Sequence, residues 1–171
     1  MTSLFDPLTI RGITARNRLW VAPMCQYSVD EHDGMPTPWH LVHLGAFSTG
    51  GAGVVMAEAT AVAPEGRISP RDTGLWTDAQ RDAWAPIAAF IRSNGAVPAI
   101  QLAHAGRKAS TWHPWAQEHG TIPAGADSPE AYCVSGVGFL LPNGASWIDT
   151  ARRLAVMHPG EDMIAAPAHL T

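Results

Sequence analysis

Two side chains that could take part in chemistry follow the first apolar run of the chain, residues 19–24. Cys25 offers a thiol and Tyr27 a hydroxyl, and both stand where a parallel strand would end. In a barrel of parallel strands the active site lies at the carboxyl ends of the strands, so a ligand there would meet both groups. In the structural alternative, Cys25 is a small buried hydrophobe and Tyr27 a packing residue with a satisfied hydroxyl. Position alone leaves both interpretations open.

The ends of two later apolar runs carry further candidates. Ala59 ends the run at residues 53–59, and Gln101 lies late in the run at residues 97–103. The amide of Gln101 has two donor hydrogens and an acceptor oxygen, so it could bind the polar edge of a heterocycle. A glutamine on a buried strand must find hydrogen-bond partners, and backbone groups would satisfy it equally well. The residue type is therefore compatible with a ligand contact and with an internal one.

His40 and His43 are three positions apart on an expected helix, a spacing that is found in metal sites. A zinc site needs three or four ligands with supporting partners, and no nearby carboxylate or cysteine completes such a set. We therefore predict no metal site and place these histidines on the helix surface. Lys108, in the basic pair after the third apolar run, is kept as a candidate for substrate binding, although most such pairs are solvated loop charges.

The apolar runs that must position these side chains read as strands. The runs at 19–24, 53–59 and 97–103 are nearly continuous, as in strands that are covered on both faces. Longer amphipathic stretches separate them. The order strand, helix, strand, helix, strand predicts right-handed parallel units of an α/β protein.

Two helices are predicted between the strands. The first opens at Pro38, after a threonine that can cap it, and ends at Gly50. The second opens after Thr77, which has capping-box spacing to Gln80, and ends at an Asn-Gly stop signal. Pro86 is expected to kink the second helix or to shorten its regular part.

Composition and charge exclude several classes of protein. Of the 171 residues, 46% are hydrophobic and 15% charged, which is typical of a globular protein rather than a disordered one. The net charge of −4 includes no basic block, so nucleic acid is not an expected partner. No apolar run reaches the ~20 residues of a membrane helix, and the N-terminus lacks the pattern of a signal peptide. Cys25 and Cys133 suggest no disulfide framework, so a cytoplasmic location is the default.

Several stretches, taken together, resemble the old yellow enzyme family of flavin-dependent ene-reductases. They are Leu-Phe-Asp-Pro-Leu at 4–8, Ala-Pro-Met-Cys-Gln-Tyr at 22–27, Glu-Ala-Thr-Ala-Val at 58–62 with Gly-Arg-Ile-Ser at 66–69, and Gln-Leu-Ala-His-Ala-Gly-Arg-Lys-Ala at 101–109. The cysteine and the nearby tyrosine are similar to those of the bacterial thermophilic-like branch of NADPH dehydrogenases. The order of the motifs makes the resemblance specific, and it covers about two thirds of the chain.

The resemblance implies an α/β fold in which FMN lies across the mouth of an eight-stranded (β/α) barrel. Gln101 would hydrogen-bond the pyrimidine edge of the flavin, and Ala59 would offer a backbone contact. Cys25 would tune the reduction potential, and Tyr27 would bind the carbonyl oxygen of the substrate. The residues that would line the flavin are Ala22, Pro23, Met24, Cys25, Ala59 and Gln101.

The same resemblance implies the reaction and the partners. NADPH or NADH gives a hydride to the flavin, and an enone or enal substrate then takes a hydride from it. Stabilising the enolate-like oxygen is the main contribution of the protein. Full-length relatives of this kind form homo-oligomers.

Some parts that the resemblance implies are missing from the sequence. We find neither the His pair, or His and Asn, that holds the substrate oxygen nor the proton-donor tyrosine, and about three strands of eight are present. We therefore expect residues 1–115 to be the N-terminal part of an FMN-binding TIM barrel and residues 116–171 to be a divergent tail without family resemblance. One hypothesis is that the tail is translated out of frame from about residue 125. The alternative function is that of a truncated, non-catalytic remnant that binds flavin weakly or not at all.

Overall fold

A parallel sheet is the central element of the computed structural model, which describes residues 1–123 and 165–167. Its strands are β3 (Trp20–Val21), β4 (Val54–Ala61), β5 (Val97–Ala103) and β6 (Ala165–Pro167), and each pairs in parallel with the next. An antiparallel hairpin of β1 (Leu8–Ile10) and β2 (Ile13–Ala15) precedes them. The helices are α1 (Pro38–Thr49) and α2 (Asp78–Ser93), and short 3₁₀ helices, Pro64–Gly66 and Gly106–Lys108, follow β4 and β5.

The three strands and two helices predicted from the sequence are all present. β3 is shorter than the apolar run at 19–24, because the chain leaves the sheet before Pro23, which has no N–H to give to a ladder. β4 extends two residues beyond the predicted end, to Ala61. The hairpin and β6 were not predicted, since each of their strands has three residues and is too short to show a period.

Helix α2 begins with the predicted capping box. The N–H of Gln80 donates to Oγ1 of Thr77 (3.2 Å), and the N–H of Thr77 donates to Oε1 of Gln80 (3.0 Å). The helix continues through Pro86, so the expected shortening is wrong. Pro86 lies on the exposed side, where water can hydrate the carbonyl of Asp82 that lacks its helical partner.

The two faces of the sheet are both covered at the level of the strand starts. On one face, Val55 is fully buried and packs with Leu44 of α1 and Trp84 of α2. On the other face, Val54 packs with Ala99 and with the hairpin. The sheet therefore has a helix-facing side and an inner side, which is the arrangement predicted from the continuous apolar runs.

Arg16, one residue after β2, joins the hairpin to both helices. Its Nη1 donates to the carbonyl of Asn94 (2.7 Å), and its Nη2 donates to the carbonyls of Ser48 and Ala52 (both 2.9 Å). Ser48 is in the last turn of α1, and Asn94 caps the end of α2. Because helix carboxyl ends carry partial negative charge, the guanidinium stabilises both helices at the amino ends of the strands.

A buried carboxyl group, Asp72, organises the loop between β4 and α2. Its Oδ2 accepts a hydrogen bond from the N–H of Ile68 (2.6 Å), and its Oδ1 accepts one from the hydroxyl of Ser69 (2.9 Å). Burial raises the pKa of Asp72 to about 6, although these hydrogen bonds act in the opposite direction. The group therefore titrates in a mildly acidic range.

Residues 124–164 and 168–171 lie outside the described residues. Cys133 and the proposed change of reading frame near residue 125 fall there. Within the part of the chain that the structure describes, the helices are too short or too polar to span a membrane.

Replacing Arg16 with methionine should lower the free energy of unfolding by about 1–2 kcal/mol, because charge-assisted bonds to partly exposed carbonyls are lost. Urea denaturation followed by tryptophan fluorescence measures the change. Arg18→Met is the matched control, since the Arg18 guanidinium makes no hydrogen bond or ion pair within residues 1–123. Its cost should stay below about 0.5 kcal/mol. Equal losses in the two variants would contradict the role of Arg16.

Asp72→Asn should remove a pH dependence of stability. The folded state holds the Asp72 proton more tightly than the unfolded state, because the pKa is raised from 3.8 to about 6 on folding. The stabilisation is therefore complete below about pH 4 and is lost as the pH rises through about 6. Between these values the stability difference between wild type and variant should change by about 2–3 kcal/mol. Urea titrations at several pH values measure it, and parallel pH profiles would refute the assignment.

Candidate active site

The segment after β3, residues 22–29, places Cys25 and Tyr27 against the end of β4. The sulfur of Cys25 lies close enough to the backbone N–H of Ala59 and to the hydroxyl of Tyr27 for both groups to affect the pKa of the thiol. The structure thus brings together the two residues that the sequence suggested as catalytic, and it adds Ala59 from the flavin-lining set.

Cys25 and Tyr27 both keep their protons at neutral pH. Burial raises the pKa of Cys25 to about 11, and the negative charges of Asp72 and Glu58 add to this effect. Burial likewise raises the pKa of Tyr27 to about 12, with smaller contributions from Cys25 and Asp72. Cys25 is therefore a neutral thiol rather than a nucleophilic thiolate, and Tyr27 is a hydrogen-bond donor.

A β-bulge in β4 turns Ala59 to the same side of the sheet as Gln101. Ala57 pairs with Ile100, and Ala59 pairs with the next residue, Gln101, so Glu58 is the extra residue between them. Ile100 belongs to the helix-facing core. Because side chains alternate along a strand, Gln101 and its partner Ala59 face the inner side. Without the bulge, Ala59 would point towards the helices with Ala57.

The side-chain amide of Gln101 makes no hydrogen bond within the described residues and is partly exposed. The sequence left open whether this amide serves the backbone or a ligand. In the described part of the chain it serves neither the backbone nor another side chain. An amide without a protein partner at the carboxyl end of a strand is available to a ligand.

The other three members of the predicted flavin-lining set follow β3 directly. Met24 is 46% exposed, which is high for a large apolar side chain, while Ala22 is exposed and Pro23 partly so. The carbonyl of Met24 accepts a hydrogen bond from Nε2 of Gln26 (2.7 Å), which holds the backbone of the segment. The structure thus leaves apolar surface uncovered at this end of the sheet, and such surface suits a flat aromatic ligand.

Tyr27 combines an unusual backbone conformation with an aromatic contact. Its φ angle is 51°, in the left-handed region that residues other than glycine rarely adopt. The ring of Trp115 meets its ring edge-on, with the centroids 5.6 Å apart. A strained backbone of this kind persists only where the surrounding structure holds it. The position of the Tyr27 hydroxyl is therefore fixed by the residues around it.

Glu58 and His40 form a buried pair that was not predicted. Nε2 of His40 donates to Oε1 of Glu58 (2.9 Å), and both side chains are at most 2% exposed. The prediction that His40 lies on the helix surface is therefore wrong. A charge inside an apolar strand requires a partner, and the helix turns His40 towards it. His43 is partly buried and stacks on Trp39. The single carboxylate in the second apolar run was the signal that could have revealed the pair.

The remaining candidates stand apart from this arrangement. Lys108 is exposed in the 3₁₀ helix after β5, and no hydrogen bond or ion pair connects its ammonium group to the described residues. Groups of three or more His, Cys, Asp or Glu side chains that could hold a metal ion are absent from the described part.

Comparisons of sequence relate the chain to flavin-dependent oxidoreductases. The family model of the NADH:flavin oxidoreductase / NADH oxidase family matches residues 3–137. The chain is 47% identical over 137 residues to the NADH:flavin oxidoreductase FG08077 of Gibberella zeae, and 49% identical over 107 residues to an NADPH dehydrogenase of Geobacillus sp.. These alignments cover 76% and 63% of this chain but 33% and 32% of the relatives. The chain therefore spans about a third of their length.

Solved structures show the same relationship. The chain superimposes on morphinone reductase, in complex with tetrahydroNAD, with a TM-score of 0.58 and 29% identity over 64% of this chain and 29% of that chain. An old yellow enzyme homologue of Zymomonas mobilis gives a TM-score of 0.58 and 35% identity over 63% of this chain and 30% of that chain. The predicted fold class, a partial (β/α)8 barrel of the old yellow enzyme type, is therefore confirmed.

The resemblance that was inferred from the motifs is confirmed for the N-terminal part of the chain. The family match extends over well more than half of the 171 residues. It includes β3, β4 and β5 with the segments that follow them. The chain belongs to the NADH:flavin oxidoreductase / NADH oxidase family.

Proposed function

We propose that this chain binds FMN at the carboxyl ends of β3, β4 and β5 as part of an ene-reductase. The reaction is the reduction of an activated C=C bond in an α,β-unsaturated carbonyl compound, with NADPH or NADH as the hydride donor. The observation that carries the proposal is the amide of Gln101, which has no partner in the described part and lies beside Ala59 on the inner face. We place all the proposed flavin contacts within residues 1–115.

The surroundings of Gln101 have the chemistry that a flavin requires. The amide can donate to a carbonyl and accept from an N–H of the pyrimidine edge. The small side chain of Ala59 allows a ring to approach the sheet closely, and Met24 offers exposed apolar surface. FMN supplies the reversible hydride acceptor that no amino-acid side chain provides.

The proposed roles of Cys25 and Tyr27 depend on both groups being protonated. A neutral Cys25 thiol adds no negative charge near the ring, so it does not oppose the gain of electrons there. The Tyr27 hydroxyl remains a donor across the physiological pH range and is proposed to bind the carbonyl oxygen of the substrate. A donor at that oxygen stabilises the negative charge that develops when hydride arrives at the conjugated carbon.

The names of the relatives support the choice of hydride donor. The protein of Gibberella zeae is an NADH:flavin oxidoreductase, and that of Geobacillus sp. is an NADPH dehydrogenase. We propose a nicotinamide nucleotide as donor on this basis, together with a small enone or enal as the acceptor.

The 171-residue chain, incubated with FMN and passed through gel filtration, should retain the visible absorption of flavin. Gln101→Leu should weaken FMN binding about tenfold, because the lost hydrogen bonds contribute about 1–2 kcal/mol. Gln117→Leu changes an exposed glutamine outside the proposed site and should leave Kd unchanged. A wild-type chain that elutes without colour would overturn the proposal and favour the remnant that binds no flavin. Equal effects of the two substitutions would refute the role of Gln101.

Tyr27→Phe should lower kcat/KM for a cyclic enone about 10–100-fold, because the donor to the carbonyl oxygen is removed while the ring is kept. The Kd for FMN should not change. The internal control is the oxidation of NADPH without any alkene, in which no carbonyl oxygen is held. If that rate falls in parallel with the enone rate, Tyr27 does not act on the substrate.

A further inference from the structure

Glu58 is a buried carboxylate whose two oxygens bond to two different elements. Oε1 accepts from Nε2 of His40 in α1 (2.9 Å), and Oε2 accepts from the backbone N–H of Gln26 (2.8 Å). We infer that Glu58, held by His40, is a positioning residue that fixes the segment carrying Cys25 and Tyr27 over the end of β4. The inference rests on the proposed function for its catalytic meaning, but the contacts themselves do not depend on it.

The hydrogen bonds of His40 define which of its nitrogens carries the proton. The backbone N–H of Thr37 donates to Nδ1 (2.8 Å), so Nδ1 is an acceptor without hydrogen. The proton is therefore on Nε2, where it donates to Glu58. A neutral imidazole thus orients the carboxylate, and the negative charge of Glu58 is not cancelled by a positive partner.

Consecutive residues of the segment lie against consecutive residues of the bulge. The N–H of Gln26 donates to Oε2 of Glu58 (2.8 Å), and the sulfur of Cys25 is near enough to the N–H of Ala59 for this group to lower the pKa of the thiol. The hydrogen bond fixes the place of the Gln26 backbone, and the neighbouring Cys25 then faces Ala59. The extra residue of the bulge is therefore what anchors the segment.

The strained residue follows the anchored one. Tyr27 has a φ of 51°, and this left-handed conformation is unfavourable for a residue with a Cβ. The bond between Gln26 and Glu58 holds the backbone immediately before it. Releasing that bond would let the segment relax to ordinary φ values, and the Tyr27 hydroxyl would move away from Cys25.

Burial distinguishes this role from a catalytic one. The side chain of Glu58 is 2% exposed and that of His40 is 1% exposed, so neither can touch a substrate. Their influence must pass through the Gln26 backbone and through the electrostatic effect of Glu58 on Cys25. The titratable groups that act on the Cys25 thiol are Glu58 from β4, Asp72 from the following loop and Tyr27 from its own segment.

The experiment measures alkylation of Cys25 by iodoacetamide against pH in the full chain without FMN, with Cys133→Ser removing the other cysteine. Glu58→Gln keeps the shape of the side chain, but its amide has one acceptor oxygen for two donors, the Gln26 N–H and Nε2 of His40. One hydrogen bond and the negative charge are therefore lost. Its alkylation rate at pH 8 should be at least about fivefold above that of the wild type, with a lower pH midpoint. Glu58→Ala should behave in the same way.

Two further variants separate positioning from general stability. His40→Gln retains an N–H for Glu58 and should stay within about twofold of the wild-type rate, whereas His40→Ala should react like the Glu58 variants. Gln80→Ala removes an equally buried capping side chain that belongs to α2. It should lower the melting temperature and leave the pH midpoint of alkylation unchanged.

The results decide the inference independently of flavin binding. If the Glu58 variants are alkylated as slowly as the wild type, or if Gln80→Ala reacts as fast as they do, the positioning role is wrong. If Glu58→Ala does not fold, the comparison of His40→Gln with His40→Ala decides on the same readout. A chain that binds no FMN but shows the predicted alkylation pattern would refute the proposed function and support the positioning role.

Discussion

A carboxylate inside an apolar sheet must be fully hydrogen-bonded, because removing a charge from water costs several kcal/mol that only good partners offset. At Glu58 this requirement joins three elements that are separate in sequence. One oxygen determines how α1 is turned, since His40 must face the strand, and the other determines where the segment after β3 passes. The positions of Cys25 and Tyr27, and with them the candidate active site, depend on this single buried group.

The two ends of the sheet are held by opposite charges with different consequences. At the amino ends of the strands, the guanidinium of Arg16 binds carbonyls at the carboxyl ends of α1 and α2. At the carboxyl ends, Glu58 binds backbone and imidazole donors. In parallel barrels the first end serves stability and the second carries chemistry. The same division is proposed here, since the partly exposed amide of Gln101, which has no hydrogen-bond partner within the described residues, lies at the second end.

Features that are formed by residues close together in the sequence could be predicted, whereas features that join distant residues could not. The three main strands, both helices and the cap of α2 depend on local patterns, and they were predicted from apolar runs and the Thr77–Gln80 spacing. The hairpin and β6 are too short for a pattern to show. The pairing of His40 with Glu58 joins residues 18 positions apart and needs both the rotation of α1 and the bulge. The order of the motifs revealed the family, whereas the availability of Gln101 required the register of β4 against β5.

The bulge at Glu58 also changes what kind of sequence change can abolish the site. Successive side chains of a strand alternate between its two faces. One additional residue therefore moves every later side chain to the other face unless a bulge absorbs it. A bulge absorbs that shift here, so deleting Glu58 would leave Ala59 opposite Gln101 on the inner face. The deletion would nevertheless remove the carboxylate that binds Gln26 and His40, and the segment after β3 would lose its anchor. A deletion can thus abolish the anchor while every residue type on the inner face is kept. Aligning β4 with a relative whose strand lacks the extra residue requires a gap within residues 57–59, because without that gap the alignment would equate positions on opposite faces.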